Sequence, residues 1–414
     1  MEFSQDIKDL IQNELGGKDY TKMSLEELKQ FRTEVVDKRH EYSLIEKANK
    51  TLGNAAYGAC ASPYFYFFNP SLAEDITGEC RKLTTTFWNG WPEYFHETIW
   101  KDKELQKKFD FELDESKHEW YRQQTVSIYS DTDSCYLTFG TFFEAMTPEY
   151  QEKYKTDDAK RAWIMNFCAN HMNPQNKQWC DAIYTPRHGH SIHNFELETI
   201  QKSGIFLAKK HNIKGVVWNK GKLIPCDKPK LEATGIELVK STTPHMAREI
   251  QKKLILSLLY DYKESEKDNY LIYFNQELNK YRKEFYNAPV ESISQSVSIG
   301  AYKQYCLDDT NSLVLAKRCP PSVHAIARYN YLAHKNGEDN LKTYSGKIKY
   351  YNIAISQKQT GYFGFPAGEL PSWAPKMDKL TQWTKNVIDP INRFMDALKL
   401  QHVNATGVTQ LSLF

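Results

Sequence analysis

The chain holds 414 residues, 41% of them hydrophobic and 14% aromatic, and its 54 basic and 52 acidic side chains leave a net charge of +2. That is enough apolar material for sizeable cores and too much chain for one compact unit, so two or three domains are expected. No run of about eighteen apolar residues occurs, Met1 to Asp6 lacks the layout of a secretory signal, and the eight cysteines include no Cys-x-x-Cys pair, which excludes a membrane-spanning helix, a disulfide framework and a thiolate zinc site and leads us to expect a soluble cytoplasmic protein.

Residues 3–14 and 25–52 carry apolar side chains at three- and four-residue spacing and read as two helices broken at Gly16-Gly17, with Ser24 placed to cap the second and Glu27 to back it. Two helices alone bury too little surface, so a supporting body must follow. A helical stretch is expected over 72–100, opened by Asn69 and Pro70 and weighted by Trp88, Trp91, Phe95 and Trp100. Thr125 to Tyr129 is β-rich, Ser130-Asp131-Thr132-Asp133 is polar, and Ser134 to Phe139 is β-rich again, which predicts a hairpin with two carboxylates at its tip. Residues 156–184 are mixed helical; Cys168, His171, Cys180, His188 and His190 form the most metal-like cluster, at spacings that match no common zinc pattern.

Short strands are expected over 192–200, 204–209 and 215–218, giving an α+β domain, and helices over 244–260, 263–284 and 383–400, before a polar tail. Between Lys202 and Lys230 the chain holds eight lysines and one acid, Asp227. Such a run is either a solvated face or a set of phosphate contacts.

Nucleotidyl transfer needs two divalent cations about 4 Å apart, bridged by carboxylates, and a rigid hairpin tip suits that task. A polar Asp-x-Asp turn taken alone is more often an Asx turn. On the second helix, Lys50, Asn54 and Tyr57 share one face, so that an ammonium, an amide and an aromatic ring line one groove; alone, these residues are equally an amphipathic helix end.

Two segments, 50–58 and 129–134, carry a resemblance and stand in the order that the family has them. Tyr129-Ser130-Asp131-Thr132-Asp133-Ser134 resembles the third polymerase motif of family B DNA polymerases, Tyr-Gly-Asp-Thr-Asp-Ser, with Ser130 in place of glycine. Lys50-Thr51-Leu52-Gly53-Asn54-Ala55-Ala56-Tyr57-Gly58 resembles the second, Lys-x-x-x-Asn-Ser-x-Tyr-Gly, with Ala55 in place of serine. Further blocks are similar to the T-even type phage polymerases: Phe3-Ser4-Gln5-Asp6-Ile7-Lys8, Arg32-Thr33-Glu34-Val35, and Ala208-Lys209-Lys210-His211, with Asn212 where that group has tyrosine. Gly235-Ile236-Glu237, Ser241-Thr242-Thr243-Pro244, Cys319-Pro320 and Arg328-Tyr329-Asn330 are similar to segments of their thumb. The resemblance spans most of the chain and is weak over 140–190.

The resemblance implies an α+β protein of right-hand polymerase architecture, with half of the helical fingers in 1–61, an antiparallel-sheet palm in 62–232 and a largely helical thumb in 233–414. It implies template-directed synthesis of viral DNA in the host cytoplasm, using primer-template DNA, deoxynucleoside triphosphates and two Mg2+ ions. Asp131 and Asp133 would be the catalytic carboxylates, holding the metal together with Glu198. Lys50, Asn54 and Tyr57 would bind the incoming nucleotide, and Lys209, Lys210 and Lys230 the DNA backbone. Gln410, Leu411, Leu413 and Phe414 resemble a bacterial clamp-binding pentapeptide and would tether a sliding clamp. The first polymerase motif, Asp-x-x-Ser-Leu-Tyr-Pro-Ser, does not occur in the sequence. A partner chain bearing it and the exonuclease is therefore expected, making this chain part of a split or truncated polymerase; the alternative is a non-catalytic remnant that keeps its DNA and clamp contacts.

Overall fold

The computed structural model describes residues 12–13, 16–17, 19–298, 319–341, 346–356 and 359–406. Gly16 and Gly17 both adopt positive φ, which only glycine takes without cost, as expected of the break placed there. The helix predicted over 3–14, the Phe3 to Lys8 block and the pentapeptide 410–414 lie outside the described residues, apart from 12–13.

Helix α1, Leu25–Ala61, opens with the expected capping box: the Glu27 backbone N–H donates to Ser24 Oγ at 3.4 Å and the Ser24 N–H to Glu27 Oε2 at 2.8 Å. It runs past Leu52 and stops where Pro63 forces Ser62 into extended backbone. Of its 37 residues only Phe31 is buried. Asn69 caps α2, Pro70–Glu93, with Pro70 in the first turn.

Near its end α2 carries Pro92 inside the helix. A proline there has no N–H for the carbonyl four residues back, that of Trp88. Ser127 Oγ donates to that carbonyl at 3.0 Å, so the gap in the helix becomes the seat of the next strand. A π-turn, Tyr94–Thr98, follows.

Strands β1, Ser127–Asp131, and β2, Ser134–Leu137, form an antiparallel hairpin packed on α2. Helices α3, Asp157–Phe167, and α4, Asn173–His188, are joined by a second π-turn, Cys168–Met172. Together they enclose an aromatic core of Phe87, Trp91, Phe95, Tyr121, Phe142, Trp163 and Phe167. Tyr94 and His171, one from each π-turn, share a 2.6 Å hydrogen bond.

Strand β3, Thr199–Ala208, pairs with β4, His211–Asn219, which pairs in turn with β5, Lys222–Leu223, and β6, Lys230–Thr234. The expected strand over 192–200 forms only at its last two residues. Its alternation is present, with Phe195 and Leu197 against the aromatic core, but side chains of α4 satisfy its backbone in place of a ladder: Asn176 Nδ2 donates to the Phe195 carbonyl and the Leu197 N–H to Asn173 Oδ1.

The α-helices described after β6 are α5, His245–Tyr260, α6, Lys267–Asn287, α7, Pro321–Lys335, α8, Lys379–Trp383, and α9, Asp389–Ala397. The pattern over 383–400 thus resolves into two helices around a third π-turn, Thr384–Ile388. Sequence reading left unassigned a three-stranded antiparallel sheet of β7, Gln295–Ser298, β8, Lys347–Ser356, and β9, Gln359–Pro366. Its buried Ile348, Tyr351, Phe363 and Phe365 join Phe274, Phe285 and Trp383 in a second core.

The fold is therefore α+β with antiparallel sheets. It divides into two units, Met1–Ile200 with Trp218–Cys226, and Gln201–Val217 with Asp227–Phe414. No helix among the described residues is long and apolar enough to cross a membrane.

Candidate active site

In the first unit the hairpin places two carboxylates at its tip. β1 ends at Asp131, the chain reverses through Thr132 and Asp133, and Ser134 faces Asp131 across the ladder. The Asp133 N–H donates to the Asp131 carbonyl at 2.5 Å and Ser134 Oγ donates to the same oxygen at 3.1 Å. Thr132 sits at φ 45°, in the left-handed region that a β-branched residue seldom enters, so the reversal is strained. The strain is held from below by the Tyr129–Tyr136 ring pair, with centroids 5.5 Å apart, and by the Ser127 anchor on α2.

The two acids are not equivalent. Asp131 is half-buried and its Oδ1 accepts from Thr132 Oγ1 at 3.1 Å, whereas Asp133 is exposed. Among the described residues neither is in a salt bridge. Ser130 lies inside β1 with negative φ, so this position makes no demand for the glycine usual in the resembling motif. Next to it, burial pushes the Cys135 thiol up to about 11, although contact with Ser127 opposes the shift, and the hairpin therefore offers no thiolate near neutral pH.

Glu198 is exposed, immediately before β3, and pairs with Lys220 at 3.2 Å; the Lys220 N–H also donates to the Glu198 carbonyl at 2.9 Å. Among the described residues no three histidine, cysteine or carboxylate side chains converge as a metal-binding group. The structure thus brings Asp131 and Asp133 together and does not bring Glu198 to them. The donor chemistry fits Mg2+ in part, since two carboxylates on a rigid turn suit a hard cation but are fewer than the ligands it takes.

Lys50, Asn54 and Tyr57 occupy a single stretch of α1 at four- and three-residue spacing, all exposed. They form one continuous face of ammonium, amide and ring. Cys168 and His171 of the metal-like cluster turn to other partners: Cys168 Sγ lies 3.6 Å from Met172 Sδ, and His171 bonds Tyr94 while burial lowers its basicity.

In the second unit, Lys209 and Lys210 form the two-residue turn between β3 and β4, both exposed, with Lys210 at φ 60°. A Cβ on Gly235, itself at φ 67°, would fall 2.1 Å from the Lys210 carbonyl, so only glycine lets this turn pack as it does. Lys230 opens β6 and pairs with Glu232 at 2.8 Å. The lysine run is not one surface: Lys214 is buried, and Lys220 and Lys222 belong to the first unit. If the two lysines contact DNA phosphates, as the resemblance implies, replacing Lys209 and Lys210 together by alanine should weaken duplex binding about equally for all sequences and flatten its salt dependence by about two phosphate contacts; an unchanged slope in a binding titration would make the turn an ordinary solvated surface.

Sequence reading missed the Ser127 anchor and the exposed aromatic loop over 64–68. Pro92 followed by two β-runs was a signal for the first, and the run Tyr64-Phe65-Tyr66-Phe67-Phe68 was itself the signal for the second. No protein-family model matches the chain, and no curated protein matches it.

Proposed function

We propose that this chain is the part of a family B DNA polymerase that contributes the Asp131–Asp133 hairpin and the Lys50 helix face to template-directed DNA synthesis, and that a complementary polypeptide supplies the remaining carboxylate. The observation that carries this reading is the hairpin, a strained, anchored turn that holds two carboxylates outside any salt bridge among the described residues, in a chain whose α1 presents Lys50, Asn54 and Tyr57 on one open face. An Asx turn would have the Asp131 carboxylate accept the Asp133 N–H, whereas here that N–H donates to the Asp131 backbone carbonyl.

Asp133 and Asp131 would hold the Mg2+ ions, which when bound lower the pKa of the attacking hydroxyl and neutralise the triphosphate. Glu198 would join them only if released from Lys220. The Lys50 ammonium is a compact point charge suited to the triphosphate oxygens, and it can also hold a proton for the departing pyrophosphate. Asn54 orients beside it. The Tyr57 ring packs against the nascent pair and senses its minor-groove shape, where correct pairs present acceptors in similar places. Lys209, Lys210 and Lys230 contact phosphates, which positions the duplex without reading sequence. The right-hand arrangement of fingers, palm and thumb belongs to the same proposal.

The deciding experiment is templated primer extension by this chain mixed with the product of the same genome that carries the Asp-x-x-Ser-Leu-Tyr-Pro-Ser segment. Incorporation should follow the template base and require magnesium. If the mixture binds primer-template DNA but adds no nucleotide, the chain is a binding remnant.

Gln410, Leu411, Leu413 and Phe414 supply an apolar, register-fixing peptide suited to a clamp cleft. Deleting 410–414 should leave single-nucleotide incorporation intact and abolish the long products that the cognate sliding clamp stimulates, because tethering acts through local concentration and not through chemistry. Equal clamp stimulation of both forms on a long template would refute the tether.

A further inference from the structure

The loop between α1 and α2 exposes what a soluble protein ordinarily covers. Tyr64 and Tyr66 are 94% and 97% exposed, and Phe65, Phe67 and Phe68 stand open beside them. The loop is built to do so: its neck is closed by the Asn69 N–H donating to the Cys60 carbonyl at 2.9 Å, and inner turns are pinned by the Phe65 N–H on Ser62 and the Phe68 N–H on Phe65. The rings therefore do not fold back onto the unit that carries them.

Charge defines what can cover it. From residue 51 to residue 73 the sequence has no Asp, Glu, Lys or Arg. Nucleic acid is a poor occupant, since nothing in the stretch neutralises phosphate, and a lipid surface would call for basic residues around the aromatics. The five aromatic side chains present about 700 Å², more than the 300–600 Å² patch of a typical monomer and close to the roughly 800 Å² per partner of a stable protein interface.

We infer that this loop and the adjoining end of α1 are the docking surface for the complementary polypeptide, which meets them with an uncharged apolar face. The inference rests on the polymerase reading in one respect, the choice of occupant. A second copy of this chain would bring the same incomplete carboxylate set, whereas the occupant needed is one that adds to it. The surface adjoins Asn54 and Tyr57 on the same helix, so docking there sets the wall of the nucleotide groove.

The test is sedimentation velocity of the chain, alone and titrated with the polypeptide bearing the Asp-x-x-Ser-Leu-Tyr-Pro-Ser segment, using wild type, the double variant Tyr64→Asp with Tyr66→Asp, and Leu380→Asp as an exposed control in the second unit. Both tyrosines lie outside the cores, so the melting temperature should hold, which separates lost docking from lost folding. The double variant should associate at least 100-fold more weakly and the control as wild type. If the double variant associates as wild type while the mixture still extends primers, the docking surface is wrong and the polymerase reading stands. If wild type associates, the variant does not, and no mixture extends primers, the docking surface stands and the polymerase reading falls. No association of wild type, a wild-type self-dimer lost in the variant, or wild-type binding to phosphatidylcholine–phosphatidylserine vesicles lost in the variant would each overturn the assignment.

Discussion

Asp133→Asn in the assembled polymerase should lose about a thousandfold or more in templated incorporation while primer-template binding is unchanged. The substitution keeps the size of the side chain and is at home in a turn, so the hairpin keeps its shape. Asp133 is exposed and outside any salt bridge among the described residues, so no folding interaction is lost. Only the negative charge goes, and with it the pull on a divalent cation at the reacting phosphate, an effect far larger than one neutral hydrogen bond. Asp131→Asn should cost less, because that carboxylate already spends one oxygen on Thr132. Single-turnover incorporation measures both. A variant at position 133 retaining a tenth of the activity would return the hairpin to the status of an Asx turn.

Omitting the complementary polypeptide should be as severe. The chain gathers two carboxylates where a catalytic cation site needs more oxygen ligands, and the one further acid identified from sequence, Glu198, pairs with Lys220. Half a nucleotide groove also positions poorly, and positioning contributes several orders of magnitude by itself. Extension by the purified chain with magnesium and four nucleotides should fall below about a thousandth of the rate of the pair. Robust synthesis from the chain alone would mean that it contains a complete centre, and would sink the split reading.

Much of this architecture is local and was therefore legible. The Ser24–Glu27 capping box, the Gly16-Gly17 break and the Asp131–Asp133 hairpin each depend on residues within a few positions of one another, where capping, glycine and period-two rules apply directly. What escaped is set by distant partners. The stretch 192–200 alternates like a strand and becomes one only at its last two residues, where β3 begins; α4 side chains capture backbone groups in the rest. Glu198 reads as a palm carboxylate until Lys220 is placed next to it, and Lys220 lies across a hairpin. In the sheet of β7, β8 and β9, β7 pairs with β8 from about fifty residues away, beyond the reach of any local pattern, whereas β8 and β9 pair as neighbours in the chain, with Ser356 opposite Gln359, and were missed although that pairing is local. The aromatic loop was missed for the opposite reason: composition assigns such residues to a core, and here they are outside it.

Pro92 and Ser127 are 35 positions apart in sequence and are coupled through one carbonyl, that of Trp88. An alanine at 92 would give the Trp88 carbonyl a backbone donor and make the Ser127 hydroxyl dispensable; an alanine at 127 with Pro92 retained would leave that carbonyl wanting, at a cost of about 1–3 kcal/mol. Neither change is neutral or harmful in itself, because each sets the sign of the other. In descendants of this chain the two sites should drift together, and a lineage that loses the proline is released to lose the serine, and with it the fixed footing of Asp131 and Asp133.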